Sequence, residues 1–335
     1  MTPHDRVVAA IKHKSTDYAP YQLDMVEAVR KSLESYYNCA DFEFSLVGNH
    51  LIREKNKKHV YNDDGSYTDL FGVTWDVSVS GGGDIGSVRD LLLQTPSIAD
   101  LRFPEPDASR IRKQCESMIE NHRDYFKIYE INHTLFERAW MLRGYEELLT
   151  DLIFEEKFVH ALLEGLTDYA LKIIDIVSVY PIDCIMFGDD WGTQGGLIMG
   201  ANLWRKFIGP CMKRLLGSAK SYGYYTCIHS CGDNYEIFGD LIDMGLDIYN
   251  TFQPEVYDTH RFVNEYGARL TIYGGISVQS VLPQGAPGDV RHAVAELVRR
   301  IGERGGLIVA PAHQITPDVP FENIMAFIDA ARMSY

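Results

Sequence analysis

A histidine and a cysteine stand one residue apart in YYTCIHSCGDNY, residues 224–235, and a glycine follows at once. Where a strand runs into a loop, residues two apart can aim in one direction. His229 and Cys231 are therefore placed to share a ligand, with Gly232 easing the turn. Zinc accepts both imidazole and thiolate, and a catalytic zinc takes about three protein ligands and keeps one position for substrate. The competing reading is a capping histidine beside a buried thiol, and the motif alone leaves the two even. His313, in LIVAPAHQITPDVP past the last apolar run, supplies a third donor if the chain curls its strand ends together. A hydrogen bond to substrate is its alternative role. Cys227 points the same way as His229 but deeper, and reads as core.

Carboxylates form the second constellation. MFGDDWGTQGG sets Asp189 and Asp190 at the end of an apolar run. Adjacent strand residues face opposite sides, so the two do not form a proton-sharing dyad. One is expected in the pocket as proton donor, metal partner or anchor for a ligand histidine; the other caps the following loop, and both stand as catalytic candidates. Trp191 is a candidate pocket wall, although packing is the commoner role of a lone tryptophan. In YEINHTLFERAWMLRG, Glu130 and Asn132 are expected to reach substrate, whereas Glu137 and Arg138 are expected to cap or pair on their helix. Gln253 in YNTFQPE joins the substrate-binding candidates, with Asn250 beside it. GGGDIG satisfies G-x-G-x-x-G through Gly81, Gly83 and Gly86, but a dinucleotide fingerprint needs a long helix next. Here SVRDLLLQTPS meets Pro96 within one short stretch. The segment reads as a flexible loop near the pocket.

These residues need elements to carry them. Strand candidates are APYQLDM, YFKIYEIN, DCIMFGDD, YYTCIHS, LDIYNTFQ, LTIYGGI and LIVAPAH. Amphipathic helices alternate with them beyond Gly86. Nearly every candidate is apolar until its C-terminal end, where it delivers Asp24, Asn132, Asp189 and Asp190, His229, Gln253, Ser277 or His313. A (β/α)8 barrel gathers such ends at one face, whereas an open doubly wound sheet spreads them along an edge. The pattern predicts a TIM-type (β/α)8 barrel over 86–335, closed by one more early strand. Residues 1–85 form an N-terminal elaboration of helices and a hairpin turning at Asp64-Gly65, and the whole chain is one domain.

The 335 residues carry a formal charge of −15, which argues against nucleic acid, since that needs a basic face. The one basic cluster, REKNKKH at Arg53–His59, reads as a solvated loop or strand edge. Six cysteines scattered over this length do not make a disulfide framework. No apolar run is long enough to span a bilayer, and the N-terminus lacks a secretory core. A cytoplasmic location with reduced thiols is expected, and the oligomeric state is open, a homodimer included.

From about Tyr125 onward the chain resembles the uroporphyrinogen decarboxylase superfamily, within it the corrinoid-dependent methyltransferases. FGDDWGTQGGLIM, HSCGDNYEIFGDLIDMGLDIYNTFQPE, GGISVQSVLPQGAP and APAHQITPDVPFENIMAFIDAAR carry the resemblance together. It implies a barrel with a deep site and a zinc held by a His-x-Cys pair, here His229 and Cys231, plus a third ligand near the last strand. That third position is a cysteine in the methyltransferases and falls on His313 here, a departure from a simple cobalamin:thiol enzyme. The decarboxylases carry an arginine-rich N-terminal loop; HKSTDYAPYQLDMVEAV has no arginine before Arg30, which disfavours a polycarboxylate substrate. The implied function is methyl transfer from a small methylated donor, an aryl methyl ether, to the cobalt of a separate corrinoid (cobalamin) protein. The reverse direction, to a thiol or tetrahydrofolate-like acceptor, is the alternative. A non-catalytic corrinoid-binding role ranks behind both.

Overall fold

The computed structural model describes residues 1–56, 59–76 and 86–333. In chain order its strands are β1 Leu51–Lys55, β2 Val60–Tyr61, β3 Tyr67–Thr68, β4 Thr74–Asp76, β5 Ser87–Val88, β6 Phe126–Ile131, β7 Cys184–Gly188, β8 Gly192–Thr193, β9 Gly196–Leu197, β10 Tyr225–His229, β11 Ile248–Phe252, β12 Thr271–Ile276 and β13 Leu307–Pro311. Seven of them form one curled parallel sheet in the order β1-β6-β7-β10-β11-β12-β13. Helices cover its outside, as in a TIM-type barrel.

The gap between β13 and β1 is filled by residues 19–25. Gln22 N donates to Val309 O at 2.9 Å and Val309 N to Pro20 O at 2.8 Å, while His50 N donates to Tyr21 O at 3.1 Å on the other side. Tyr21 and Met25 each bridge in parallel, to Val309 and Ile315. The segment thus takes the eighth position without a continuous ladder, in keeping with Pro20, which has no N–H to give.

Strand alternation fixes what faces the barrel axis. The interior apolar cluster holds Leu51, Phe126, Ile128, Cys184, Met186, Cys227, Ile248, Tyr273, Ile308 and Ala310. Val7 and Ile11 of the helix α1 Pro3–Ile11 join that cluster and close its N-terminal end. Stepping two residues further along the same strands gives Arg53 and Lys55 on β1, Glu130 on β6, Gly188 on β7, His229 on β10 and Asn250 on β11. The interior therefore turns from apolar to polar along the axis, and the C-terminal end carries the ionisable groups.

Of the two readings of the basic cluster that begins at Arg53, solvated loop or strand edge, its first residues take the second: they lie in β1, at one end of the sheet order, paired in register with β6 from Leu51 opposite Phe126 to Lys55 opposite Glu130, although they are not solvated as expected. Arg53 is 11% exposed. The predicted hairpin exists as β2 and β3, extended by β4 and β5 into a four-stranded antiparallel sheet. Of GGGDIG, Gly81 and Gly83 lie outside the described residues.

Candidate active site and metal centre

A cavity of about 310 Å³ opens at the C-terminal end of the barrel. His229, the last residue of β10, and His313, beyond β13, both line it. One ligand atom from each of His229, Cys231 and His313 lies within 4.8 Å of the others, and Cys231 Sγ is 3.7 Å from His229 Nε2. The end of β10 with the loop after it, and the segment beyond β13 more than eighty residues later in sequence, thus bring three donor atoms together.

The tautomer of His229 is set by its neighbour. Asn250 Nδ2 donates to Tyr273 O at 2.8 Å, which turns Asn250 Oδ1 toward His229 Nδ1 at 2.5 Å. Nδ1 therefore carries the proton, and the Nε2 lone pair faces Cys231 and is free to bind a cation. The Cys231 loop is held by two carboxylate and amide acceptors: Cys231 N donates to Asp190 Oδ1 at 2.8 Å, and Gly232 N to Gln253 Oε1 at 2.7 Å. Gly232 has φ +75°, and a Cβ there would sit 2.2 Å from the backbone of Gly192. Only glycine permits this approach.

Burial, with the Asp190 carboxylate beside it, pushes the Cys231 thiol well above its ordinary value. Burial and the neighbouring His229 lower His313 to about 4. A neutral imidazole beside a thiol that needs a positive charge to ionise suits a divalent cation. The donor set of two nitrogens and one sulfur fits zinc and leaves a fourth position for substrate.

Alternation also separates the two aspartates. Asp190 lines the cavity, with Oδ1 4.0 Å from His229 Nε2. Asp189 is fully buried outside it and anchors the helix Phe136–Arg143, accepting from Leu135 N at 3.2 Å, Phe136 N at 2.9 Å and Glu137 N at 2.8 Å. Trp191 Nε1 donates to the same carboxylate at 2.6 Å, and the Trp191 ring packs edge-on to Trp204. Asp189 and Trp191 are thus brought together with each other and away from the cavity. Gln253 acts on the Gly232 loop. Asn132 lines the cavity beside Gly188.

Glu130 reaches the cavity but is occupied. Arg53 Nε is 3.1 Å from its Oε2 and Lys55 Nζ 3.8 Å from its Oε1, while Arg53 Nη2 also donates to Asp24. Burial pushes the Glu130 carboxyl up, and Lys55 and Arg53 more than reverse it, holding it below the ordinary range.

The residue that sequence reasoning placed elsewhere is Glu137. It pairs with His133 Nδ1 at 3.5 Å, as a helix residue would, but it also lines the cavity. Burial, then the Asp190 carboxylate, raise it to about 8. Burial and Glu137 raise Asp189 in turn, yet the four N–H donors on Asp189 all favour its anion. Asp189 is therefore the charged member of this pair and Glu137 the protonated one. Sequence offered one signal for Glu137, its place in the first turn after β6; its burial is a tertiary effect.

The antiparallel sheet and its β3–β4 connection line the same cavity with aromatic side chains. The Tyr67 and Trp75 rings stack at 6.0 Å and 14°, and Tyr67 stacks on His59 at 3.9 Å. Phe71 lies under the Arg138 guanidinium at 4.4 Å. Arg138 is tied to Asp69, which also accepts from Trp75 Nε1 at 3.2 Å.

A family model described as uroporphyrinogen decarboxylase matches residues 136–334, more than half the chain. The chain belongs to the uroporphyrinogen decarboxylase family. No curated protein sequence matches. Among solved structures, a methyltransferase from Methanosarcina mazei superposes with a TM-score of 0.76 at 16% identity, covering 99% of this chain and 98% of that one. At that identity the likeness shows the fold. A D-psicose 3-epimerase solved in the presence of D-fructose has a TM-score of 0.41 at 13% identity, covering 68% of this chain and 81% of that chain. The 7,8-dihydropteroate synthase from Vibrio fischeri ES114 has a TM-score of 0.26 at 11% identity, covering 73% and 88%. At those scores neither bears on function. The family match begins at Phe136, the first residue of the helix that Asp189 anchors. The aromatic sheet lies before it, outside the residues that the family model matches. No described helix is long and apolar enough to cross a membrane.

Proposed function

We propose that this chain is a methyltransferase that moves a methyl group from an aryl methyl ether to the cobalt of a separate corrinoid protein. The observation that carries the reading is the convergence of His229, Cys231 and His313 at a cavity walled by Tyr67, Trp75 and Phe71. Family membership and the printed name of the Methanosarcina mazei relative support it.

Reduced cobalt on the partner is the nucleophile and attacks the methyl carbon. The carbon–oxygen bond breaks with its electron pair on oxygen, giving a phenolate that needs a proton. Glu137 is the proton donor, since its acid form is the stable one near neutral pH and it lines the same cavity. Asp190 holds the Cys231 loop and faces His229, and Asn250 keeps Nε2 of His229 bare. Tyr67 and Trp75 present flat faces to an aromatic ring. His229, Cys231 and His313 would hold zinc, which when bound supplies Lewis acidity toward the departing oxygen. Two neutral imidazoles and one thiolate leave such an ion with net positive charge, which favours acid catalysis on an ether over thiolate activation.

The test is conversion of cob(I)alamin to methylcob(III)alamin, followed by absorbance, with a methoxyphenol as donor and zinc content measured alongside. The reading expects about one zinc per chain and methylation that depends on the ether. Turnover only from methylcobalamin to a thiol would overturn the direction, and a metal-free active protein would overturn the site.

A further inference from the structure

The loop that carries Cys231 is held by residues that lie outside the cavity lining. Each backbone N–H from Ser230 to Asn234 has a protein acceptor. Ser230 N donates to Asn250 O at 2.7 Å, Cys231 N to Asp190, Gly232 N to Gln253, Asp233 N to Thr193 O at 2.7 Å and Asn234 N to Tyr257 OH at 3.1 Å. The carbonyls are taken as well. Tyr249 OH donates to Ser230 O at 2.9 Å, Tyr257 OH to Gly232 O at 2.6 Å, and Asn234 Nδ2 to Cys231 O at 3.1 Å. A loop so fully paired within the protein has its shape before any ion arrives.

Two hydroxyls and one amide do most of this, and their own surroundings fix them. Tyr249, Tyr257 and Asn234 are all buried. The two phenol oxygens lie 3.0 Å apart, and Asn234 Nδ2 is 2.8 Å from Tyr249 OH and 3.1 Å from Ser230 Oγ. The Tyr257 ring stacks on Phe252 at 4.9 Å and 23°, and the Tyr249 ring packs edge-on to Phe238 at 4.6 Å. Asn234 Oδ1 is buried without a protein donor, which is unfavourable for folding alone. The amide is turned to serve the loop.

We infer that Tyr257, Tyr249 and Asn234 are positioning residues for the metal. They hold the Cys231 loop so that its thiol stays beside the donor atoms of His229 and His313 whether or not an ion is bound. This rests on the metal-site reading given above and is independent of which methyl donor is used. Zinc then enters a site already assembled, and little ordering opposes it. Loosening the loop should therefore weaken the ion, although none of the three residues is a ligand.

The test is Tyr257→Phe, which keeps the ring and its stacking and removes only the hydroxyl. Zinc affinity is measured by competition with a chromophoric chelator, and the shape of the site by the absorption spectrum of the cobalt(II)-loaded protein. Tyr235→Phe is the control, since the Tyr235 ring packs against Tyr257 while its hydroxyl donates to Glu265 Oε2 at 3.0 Å in an exposed pair. Zinc affinity should fall about 10- to 100-fold in Tyr257→Phe, as for other groups that orient metal ligands. The thiolate-to-cobalt band should shift, and Tyr235→Phe should bind as wild type. A folded Tyr257→Phe with wild-type affinity and spectrum overturns the inference and leaves the metal site standing. An equal loss in Tyr235→Phe assigns the effect to the aromatic cluster and overturns it as well. A wild type that takes up neither zinc nor cobalt removes both the inference and the metal site. Should Tyr257→Phe not fold, amide hydrogen exchange of the metal-free wild type decides. The N–H groups of Ser230 to Asn234 should already exchange slowly and gain little from zinc. Fast exchange there that slows only on zinc addition overturns the inference.

Discussion

The two ends of the barrel are built from the same kinds of residue and finish differently. At the N-terminal end Arg6 donates to both oxygens of Asp17, at 2.8 and 2.7 Å, and through Nη1 to His50 Nε2 at 2.9 Å. Its guanidinium lies 3.8 Å over the Tyr18 ring, and His50 Nδ1 meets Tyr21 O at 3.3 Å. The Arg6 guanidinium, both Asp17 oxygens and both His50 nitrogens all find partners within the protein. At the C-terminal end His229, Cys231 and His313 bring their ligand atoms within 4.8 Å of one another with no described protein group between them to use all three, and Glu137 keeps a proton against a neighbouring anion. The first arrangement stabilises the fold; the second is tolerated because it can bind something. Local disagreement with folding rules marks the active end.

Cys231→Ala should break the contrast most. Removing the thiolate ligand should abolish stoichiometric zinc and lower methyl transfer by about 10³-fold or more, since a Lewis acid is worth several kcal/mol. The thermal midpoint of the zinc-free protein should move little. A loss of folding comparable to the loss of activity would place Cys231 with the structural residues.

Next is Glu137→Gln. A positioned proton donor contributes about 10² to 10⁴ in rate. The substitution should lower turnover toward the smaller of those factors or beyond and leave zinc content unchanged. In the wild type, activity should be present below the Glu137 value of about 8 and fall as pH rises through it. That limb should disappear in the variant. Retention of the limb would assign it to another group.

Asn250→Ala tests orientation alone. Without Oδ1 at His229 Nδ1, either tautomer becomes available, and zinc affinity should fall by about 10- to 100-fold. A chelator competition measures it. Unchanged affinity would show that His229 is held by packing.

Much of this contrast was legible in the chain, and the parts that were not share a cause. The polar strand ends were visible because each follows an apolar run, so His229, His313 and one of the pair Asp189 and Asp190, without saying which, could be placed at one face. The pairing of Asp189 with the helix after β6 was not visible, although period two required the aspartates to diverge. LIREK was missed as a strand because its inward positions past Leu51 are charged, and charged residues normally signal solvent. In a barrel they mark the active end instead. Residues 19–25 were expected as a full strand and pair only irregularly. Glu137 reads as an ordinary helix residue, and only the packing of that helix against the cavity buries it.

The smallest effect belongs to the N-terminal end and concerns pH. Burial, with the Arg6 guanidinium beside it, lowers folded His50 to about 4, against about 6.5 for an unperturbed histidine. Between those values the unfolded chain binds the proton and the folded one does not. The contribution is therefore full above about pH 6.5 and is lost as pH falls toward 4. From pH 7 to 5.5 the loss is about 1 kcal/mol, at 1.36 kcal/mol per pH unit below the unfolded value. His313, also lowered to about 4, acts with the same sign. Glu137 acts with the opposite sign, since its raised value makes the folded state bind more protons across this window. The total slope is thus a poor reading, and the informative quantity is the difference between wild type and His50→Gln in denaturant midpoints at the two pH values. The variant should be less stable at pH 7, with its deficit shrinking by about 1 kcal/mol at pH 5.5. A deficit that stays constant would mean that His50 titrates alike in both states, and that the N-terminal end is not the sealed, satisfied cluster that sets it apart from the other.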